Sequence, residues 1–344
     1  MATWVILRAY KYDSNGNRIE RSGEGDIVTA EYDAQDRLLR YGQTEFSYDA
    51  DCNVIQKIDH DPTWCTWWPF DPRSKVTNYS YDAFGNLVSV ELPDHTKIGY
   101  ILDGQFRRIG KTVNGKLVRG WVYQSQTQIA AELDGAGNIV KQFIYGEKAN
   151  IPDFMIMGTE TYQIVSDQVG TPRLVINASS GVVKQVLNFD EFGVPQGEDG
   201  EDGEELLPFG FAGGLWDRAT DLVHFGARDY NPETGRWVSK DPLLFGGGDT
   251  DLYGYVLNDP VDFTDPEGLS GPLSPNIIVP EPVCIGERCP PPPSPPIPNN
   301  VPVRCTGNIC APIIPPNFGP APLPKVPTRT TGTRGQNDSA PSCM

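Results

Sequence analysis

Histidine is scarce in this sequence of 344 residues, which holds only His60, His95 and His224. None of them lies in an HExxH motif or near a nucleophile-elbow serine, so the sequence favours neither a zinc hydrolase nor a Ser-His-Asp hydrolase. Basic residues are also few, with 28 Lys and Arg against 45 Asp and Glu and a formal net charge of −17. Because phosphate backbones and anionic lipids are bound by clusters of cations, we expect no nucleic-acid partner.

Long apolar runs are absent as well. No stretch reaches the roughly 20 apolar residues that a membrane-spanning helix needs, and the first eight residues lack the charged-then-apolar layout of a signal peptide. We therefore expect no membrane span. The protein is expected to be secreted or displayed on the cell surface through a dedicated secretion system, or otherwise to be cytoplasmic.

The composition changes after Leu269. Residues 270–344 hold 20 of the 32 prolines and five of the seven cysteines, but only three acidic and five basic residues. Six of the seven residues at 290–296 are proline, which cannot donate a backbone hydrogen bond and prefers polyproline II. We expect a Pro- and Cys-rich tail that is an extended spacer or disordered.

Two C-x4-C pairs lie in this tail, Cys284 with Cys289 and Cys305 with Cys310. Zinc knuckles have closer spacing and packed flanks, whereas these flanks are proline, so disulfide loops or free thiols are favoured over zinc. No metal site and no cofactor are predicted for the chain.

The first 269 residues repeat a Tyr-Asp-x-x-Gly-Asn-Leu theme. Residues 12–19 and 81–87 are the clearest copies, and the repeated aspartates recur at intervals of 16 to 33 residues. Each copy is typical of a β-hairpin corner, in which Asp accepts backbone N–H groups and the residue three positions later takes a positive φ. The segments that follow, such as 87–92 and 139–145, alternate apolar and polar residues as strands do.

Stacked hairpins of this kind predict an all-β protein with a long, curling antiparallel sheet, because each unit buries its face against its neighbours. The acidic run at 197–205 is expected to be a solvated surface insertion rather than a calcium site.

Beyond the repeats, an ordered set of motifs resembles the Rhs or YD-repeat family and its relatives, the C components of ABC toxins and the teneurins. Asp167 begins an Asp-x-x-Gly-Thr-x-Arg signature, and later blocks are similar to the Rhs repeat-associated core. The signature includes residues 167–175, 181–183 and 189–193, and the core blocks are residues 209–214, 227–237, 241–242 and 251–269.

This resemblance implies a spiral β-sheet wound into a shell, with the core closing one end and a variable effector following it. It divides the chain into YD repeats at 1–160, the Rhs core at 161–269 and the variable tail at 270–344. It implies a structural shell-closing protein of a bacterial toxin-delivery or contact-competition system. The expected partners are the chain's own C-terminal segment or a toxin cargo, together with secretion machinery.

The resemblance also implies single-turnover self-cleavage between Leu269 and Ser270. By motif position the aspartate pair is Asp241 and Asp265, with Arg228 as the arginine. Two carboxylates held close together share a proton, so that one activates water while the other protonates the leaving group. Both Asp-Pro pairs also suit ordinary turns, and the segment that begins at Asp241 lacks the expected glycine.

Two alternatives stay open at this stage. One is a non-enzymatic surface protein that binds glycans or partner proteins, for which the aromatic cluster of Trp64, Trp67, Trp68 and Phe70 is the best candidate, although buried packing also explains such rings. The other is an orphan fragment of a larger Rhs protein.

Overall fold

The structure is a computed structural model that describes residues 8–23, 26–60, 74–200, 206–269, 303–306 and 309–312. Its regular elements are β-strands and three short 3-10 turns. Within the described residues, no helix is long and apolar enough to cross a membrane.

Eighteen strands form one sheet, in which each strand pairs antiparallel with the next along the chain. They are β1 (Ala9–Tyr12), β2 (Arg18–Gly23), β3 (Asp26–Tyr32), β4 (Leu38–Tyr41), β5 (Thr44–Tyr48), β6 (Val54–Asp59), β7 (Lys75–Tyr81), β8 (Leu87–Glu91), β9 (Lys97–Leu102), β10 (Arg108–Val113), β11 (Lys116–Tyr123), β12 (Ile129–Asp134), β13 (Ile139–Ile144), β14 (Phe154–Met157), β15 (Glu160–Ser166), β16 (Pro172–Asn177), β17 (Val183–Phe189) and β18 (Pro195–Gly200).

The sheet curls so that its first strand meets the corner between β17 and β18. The Tyr10 hydroxyl donates a hydrogen bond to Glu191 Oε1 at 2.5 Å. The Tyr10 ring packs edge-on against Phe192, with 5.0 Å between ring centroids. The expected all-β spiral sheet is confirmed.

The hairpin corners have the geometry that the repeat predicts. At the clearest corner, Asp82 Oδ1 accepts the N–H groups of Phe84 and Asn86 at 2.9 and 3.0 Å, and Gly85 has a φ of 85°. Degenerate copies keep the left-handed residue even without glycine, because the same aspartate contacts fix the turn. Those residues are Asp36, Cys52 and Phe106, with φ values of 59°, 71° and 62°.

A second, smaller sheet lies in the segment 206–269. Its strands are β19 (Leu215–Asp217), β20 (Leu222–Phe225), β21 (Arg228–Asn231) and β22 (Arg236–Trp237), and the segment also contains 3-10 turns at Phe211–Gly213, Leu244–Gly247 and Val256–Asn258. All residues of these four strands are buried. Rings of Phe225, Tyr230, Trp237 and Tyr255 pack together with centroid separations of 4.6 to 6.3 Å.

Buried arginines fasten this segment to the hairpin repeats. Arg18 of β2 donates to the Glu233 carbonyl at 2.7 Å. Arg236 of β22 donates to both carboxylate oxygens of Asp251 at 2.8 Å and to Asn17 Oδ1 at 2.9 Å. Buried guanidinium groups from both parts of the chain therefore find hydrogen-bond acceptors in this contact, as a buried cation requires.

The expectation for the acidic run is corrected in part. Residues 197–200 belong to strand β18, whose backbone pairs with β17, and residues 201–205 lie outside the described residues.

The described part of the tail is a hairpin of two strands, β23 (Val303–Thr306) and β24 (Ile309–Pro312). Cys305 and Cys310 stand directly opposite each other in its register. The other tail pair, Cys284 and Cys289, lies outside the described residues.

Candidate functional site

Arg228 occupies the first position of β21, just after the tight turn that joins it to β20. Its side chain is buried, and its guanidinium lies over the ring of Trp237 at 4.2 Å from the centroid. The turn itself is tied down by a hydrogen bond from the Ala227 N–H to the Glu267 carbonyl at 2.9 Å. Arg228 is thereby held against the segment 265–269.

Both predicted aspartates contact this arginine. Arg228 Nη2 lies 3.0 Å from Asp241 Oδ2 and 3.1 Å from Asp265 Oδ2. Its Nε donates to the Gly268 carbonyl at 2.6 Å. Two carboxylates that are far apart in sequence thus meet on one cation, beside the predicted cleavage point.

Asp265 begins the turn that the sequence predicts. The Gly268 N–H donates to the Asp265 carbonyl at 3.3 Å, and Asp265 Oδ1 accepts the Leu269 N–H at 3.2 Å. Gly268 has a φ of 65°, and a Cβ there would come 2.3 Å from the Phe225 carbonyl oxygen. Only glycine lets the chain pass this close to β20.

The missing glycine in the Asp241 segment does not prevent that turn. Leu244 takes the glycine position with a φ of 53°, and its N–H donates to the Asp241 carbonyl at 2.9 Å. The Leu243 N–H donates to Asp241 Oδ1 at 2.7 Å. A left-handed leucine costs about 1–2 kcal/mol, and the hydrogen bonds to Asp241 hold Leu244 in this conformation in spite of that cost.

The site is poor in solvent and rich in charge. Burial raises the pKa of Asp241 above its ordinary value, although Arg228 opposes that shift. Burial also lowers the pKa of Arg228, against the attraction of Asp241 and Asp265. One cation facing two carboxylates leaves excess negative charge, which favours retention of one proton by the pair.

Gly247 marks the space between the carboxylate and the predicted cleavage point. A Cβ at Gly247 would lie 2.6 Å from Asp241 Oδ2 and 3.3 Å from the Leu269 carbonyl oxygen. A cavity of about 10 Å³ beside Arg228, Asp241 and Gly247 is close to the volume that one water molecule requires. The carboxylate and the Leu269 carbonyl therefore face each other across a gap that a side chain would fill.

Two residues of this site were missed from sequence. They are Gly247 and Asp249. The negative charge of Asp249 favours the protonated forms of Asp241 and Arg228, and so it acts to raise the pKa of each. The run of three glycines before Asp249 was the available signal, because such a run in an otherwise regular β-protein points to a close approach of backbone. Ser270, on the far side of the predicted cleavage point, lies outside the described residues, as does the aromatic cluster Trp64, Trp67, Trp68 and Phe70.

Comparison with known proteins shows which family has this architecture. The family model of the Teneurin YD-shell matches residues 3–261. The chain belongs to the Teneurin YD-shell family. Asp241 and Arg228 lie within the matched range, whereas Asp265 and Leu269 follow it.

Relatives of this YD-shell chain come from bacteria and animals. The tRNA3(Ser)-specific nuclease WapA of Bacillus spizizenii is 26% identical over 268 residues, covering 75% of this chain and 11% of that protein. Teneurin-3 of Mus musculus is 27% identical over 270 residues, covering 74% of this chain and 9% of that protein. The chain thus spans about a tenth of the length of these relatives.

Solved structures include a mutant Tc holotoxin pore of Photorhabdus luminescens, with 14% identity and a TM-score of 0.39 over 78% of this YD-shell chain and 18% of that chain. The crystal structure of TcdB2-TccC3-TEV matches 76% of this chain and 18% of that chain, with 14% identity and a TM-score of 0.37.

Proposed function

We propose that this chain is the closing part of a β-shell that encloses a toxin cargo in a bacterial delivery or contact-competition system, and that it cuts itself once between Leu269 and Ser270. The observation that carries the proposal is the contact of Arg228 with Asp241, Asp265 and the Gly268 carbonyl. An ordinary turn at 265–268 needs none of the three side chains to meet.

The proposed reaction is a hydrolysis. Asp265 takes a proton from a water molecule, whose oxygen attacks the Leu269 carbonyl carbon while Asp241, the proton-retaining member, donates to the carbonyl oxygen. Asp265 then gives its proton to the Ser270 nitrogen and the C–N bond breaks. The product acid returns a proton to Asp241, which leaves a Leu269 carboxylate and a Ser270 amine. Arg228 binds the Gly268 carbonyl by a hydrogen bond, and its positive charge stabilises the ionised carboxylate of the pair.

The proposed cargo and location are supported by a relative's name and by one disulfide. The relative WapA is a nuclease by its name, and an enclosed toxin would be a cargo of that kind. Cys52 is disulfide-bonded, which oxidising compartments outside the cytosol favour. Export is therefore proposed over a cytoplasmic role.

Intact mass of the folded, then denatured, protein tests the activity. We expect two species, residues 1–269 and 270–344, with a new N-terminus at Ser270. A single species of 344 residues from fully folded protein would refute the cleavage and leave only the structural role in the shell.

Filling the gap at Gly247 should slow the reaction. In Gly247→Ala the new methyl group occupies the space between Asp241 Oδ2 and the Leu269 carbonyl, so we expect cleavage to fall by about 10²-fold or more, the range for losing one proton-transfer group. Mass spectrometry over a time course of cell-free synthesis gives the rate. Gly246→Ala is the matched control, because its nearest neighbour would be the Leu243 Cβ at 3.8 Å. Equal rates in the two variants would contradict the proton transfer from Asp241 to the Leu269 carbonyl oxygen.

The cleavage rate should also depend on pH. Because burial raises the pKa of Asp241, its protonated form is complete below the ordinary value and disappears as pH rises through the raised value. We expect faster cleavage in mildly acidic than in alkaline solution, with a decline of about tenfold per pH unit above the raised pKa. Rates measured by mass from about pH 5 to about pH 9 check this, a range that brackets the usual window of general acid–base catalysis. A rate that climbs steadily with pH would assign the proton-donating step to another group.

A further inference from the structure

A groove of about 520 Å³ opens where the described segment 206–269 ends at Leu269. The corners of neighbouring hairpins form one wall, and the turns around 226–228 and 239–242 form the other. Its lining includes Asn53, Phe84, Phe106, Lys240, Glu267 and Leu269. This volume falls in the range of pockets that hold a small ligand or a short peptide segment.

Two phenylalanines stand in this groove at positions where the fold does not need them. Phe84 and Phe106 are 74% and 42% exposed, and their ring centroids lie 5.2 Å apart. In the first repeat, Asn15 holds the position of Phe84 and Gly16 holds that of Phe106. Phe192 has the same corner position as Phe84 but is buried. Burial in the core therefore does not account for Phe84 and Phe106, and adjacent exposed rings favour a contact surface.

Phe106 also carries a conformational cost. Its φ of 62° is the left-handed conformation that glycine takes in many of the other corners, and for a bulky residue it costs about 1–2 kcal/mol. A glycine would form the same turn without that cost. Asp36 and Cys52 take the same conformation in other corners, so what distinguishes Phe106 is its ring, which is exposed beside Phe84 in the groove.

We propose that this groove is the docking site of the segment 270–277 of the same chain. Leu269 lines the groove, and the Cα of the next residue lies about 3.8 Å away along the chain, so the segment must start at the groove. The segment contains Pro272, Leu273, Pro275 and Ile277. Proline-containing extended segments dock in aromatic-lined grooves because their backbone is already ordered.

The docking goes beyond the proposed cleavage and does not require it. Before cleavage the groove would hold the chain on the Ser270 side of the bond, while Arg228 holds Gly268 on the other side. After cleavage the new N-terminus would stay bound to the shell. A segment of this length in polyproline II spans about 25 Å, long enough to run past both phenylalanine rings.

Photocrosslinking in the full chain tests the proposal. A benzoylphenylalanine at position 84 keeps an aromatic ring in the groove, and peptide mapping after irradiation locates its partner. We expect crosslinks to peptides within 270–277. The control places the same group at Ile27, which is 69% exposed on β3 and does not line the groove, and no crosslink to 270–277 is expected there.

A second experiment changes the docked segment and leaves the residues of the groove unchanged. Replacing Pro272, Leu273 and Pro275 by Gly, Ser and Gly in the same chain should lower the crosslink yield at position 84 several-fold. An unchanged yield would overturn the proposal. So would a crosslinked dimer, which would assign the groove to a second copy, or crosslinks from position 84 only to other parts of the chain.

The mass of each sample reports cleavage separately from the crosslink. Crosslinks to 270–277 in a chain that stays whole would support the docking and refute the cleavage. A cut chain without those crosslinks would do the reverse.

Discussion

The Asp265→Asn variant is expected to remain a single chain of 344 residues under conditions in which the wild-type protein separates at Leu269. The substitution keeps the shape of the side chain, which accepts hydrogen bonds from Arg228 and the Leu269 N–H at 3.1 and 3.2 Å. It removes the carboxylate that accepts a proton. Losing one member of a proton-sharing pair disables the unit, so we expect a loss of about 10²–10⁴-fold, as for other general bases.

Asp262→Asn is the matched control for this experiment. Asp262 lies nearby in the same segment and is exposed, and its backbone N–H bonds to Asp259 rather than to the site. Its variant should cut at the wild-type rate. Asp241→Asn should also stay whole, and the double variant should be no worse than either single one. If Asp265→Asn is cut at the wild-type rate, the aspartate pair is not the reactive group.

The Arg108→Met variant is expected to have the largest loss of stability. Arg108 Nη2 lies 2.9 and 3.1 Å from the two carboxylate oxygens of Asp229, and its guanidinium lies 3.6 Å from the Tyr100 ring centroid. Both partners of the ion pair are buried. Removing the cation leaves a carboxylate without its main partner in a site of low dielectric, which costs about 3–5 kcal/mol of the free energy of unfolding.

The neighbouring arginine provides the control. Arg107 forms its ion pair with Asp103 near the surface, where its side chain is 22% exposed, so Arg107→Met should cost only about 0–1 kcal/mol. The double variant Arg108→Met/Asp229→Asn should recover part of the loss, because it removes the unpaired charge. Urea unfolding followed by tryptophan fluorescence gives these differences. Equal losses in Arg107→Met and Arg108→Met would show that the buried pair does not join the two sheets.

The hairpin corners show how much of the fold could be predicted from the sequence. Asp82 and Gly85 predict their turn from residue type alone, since the hydrogen bonds that form it join residues close together in sequence. The strands between corners follow from alternation of period two. Interactions over short sequence separations need no knowledge of the rest of the molecule, and so the sequence by itself determined the repeat, the antiparallel sheet and the turn at Asp265.

Only the tertiary structure decided which distant charges meet. The family resemblance assigned Arg228, Asp241 and Asp265 to one site. The pairs Arg108–Asp229 and Arg236–Asp251 and the gap at Gly247 could not be predicted in that way. Arg107 and Arg108 are adjacent and chemically identical, yet one lies near the surface and the other is buried. Their difference arises because Arg107 still belongs to the hairpin corner that begins at Asp103, whereas Arg108 is the first residue of β10 and contacts Asp229, far along the chain.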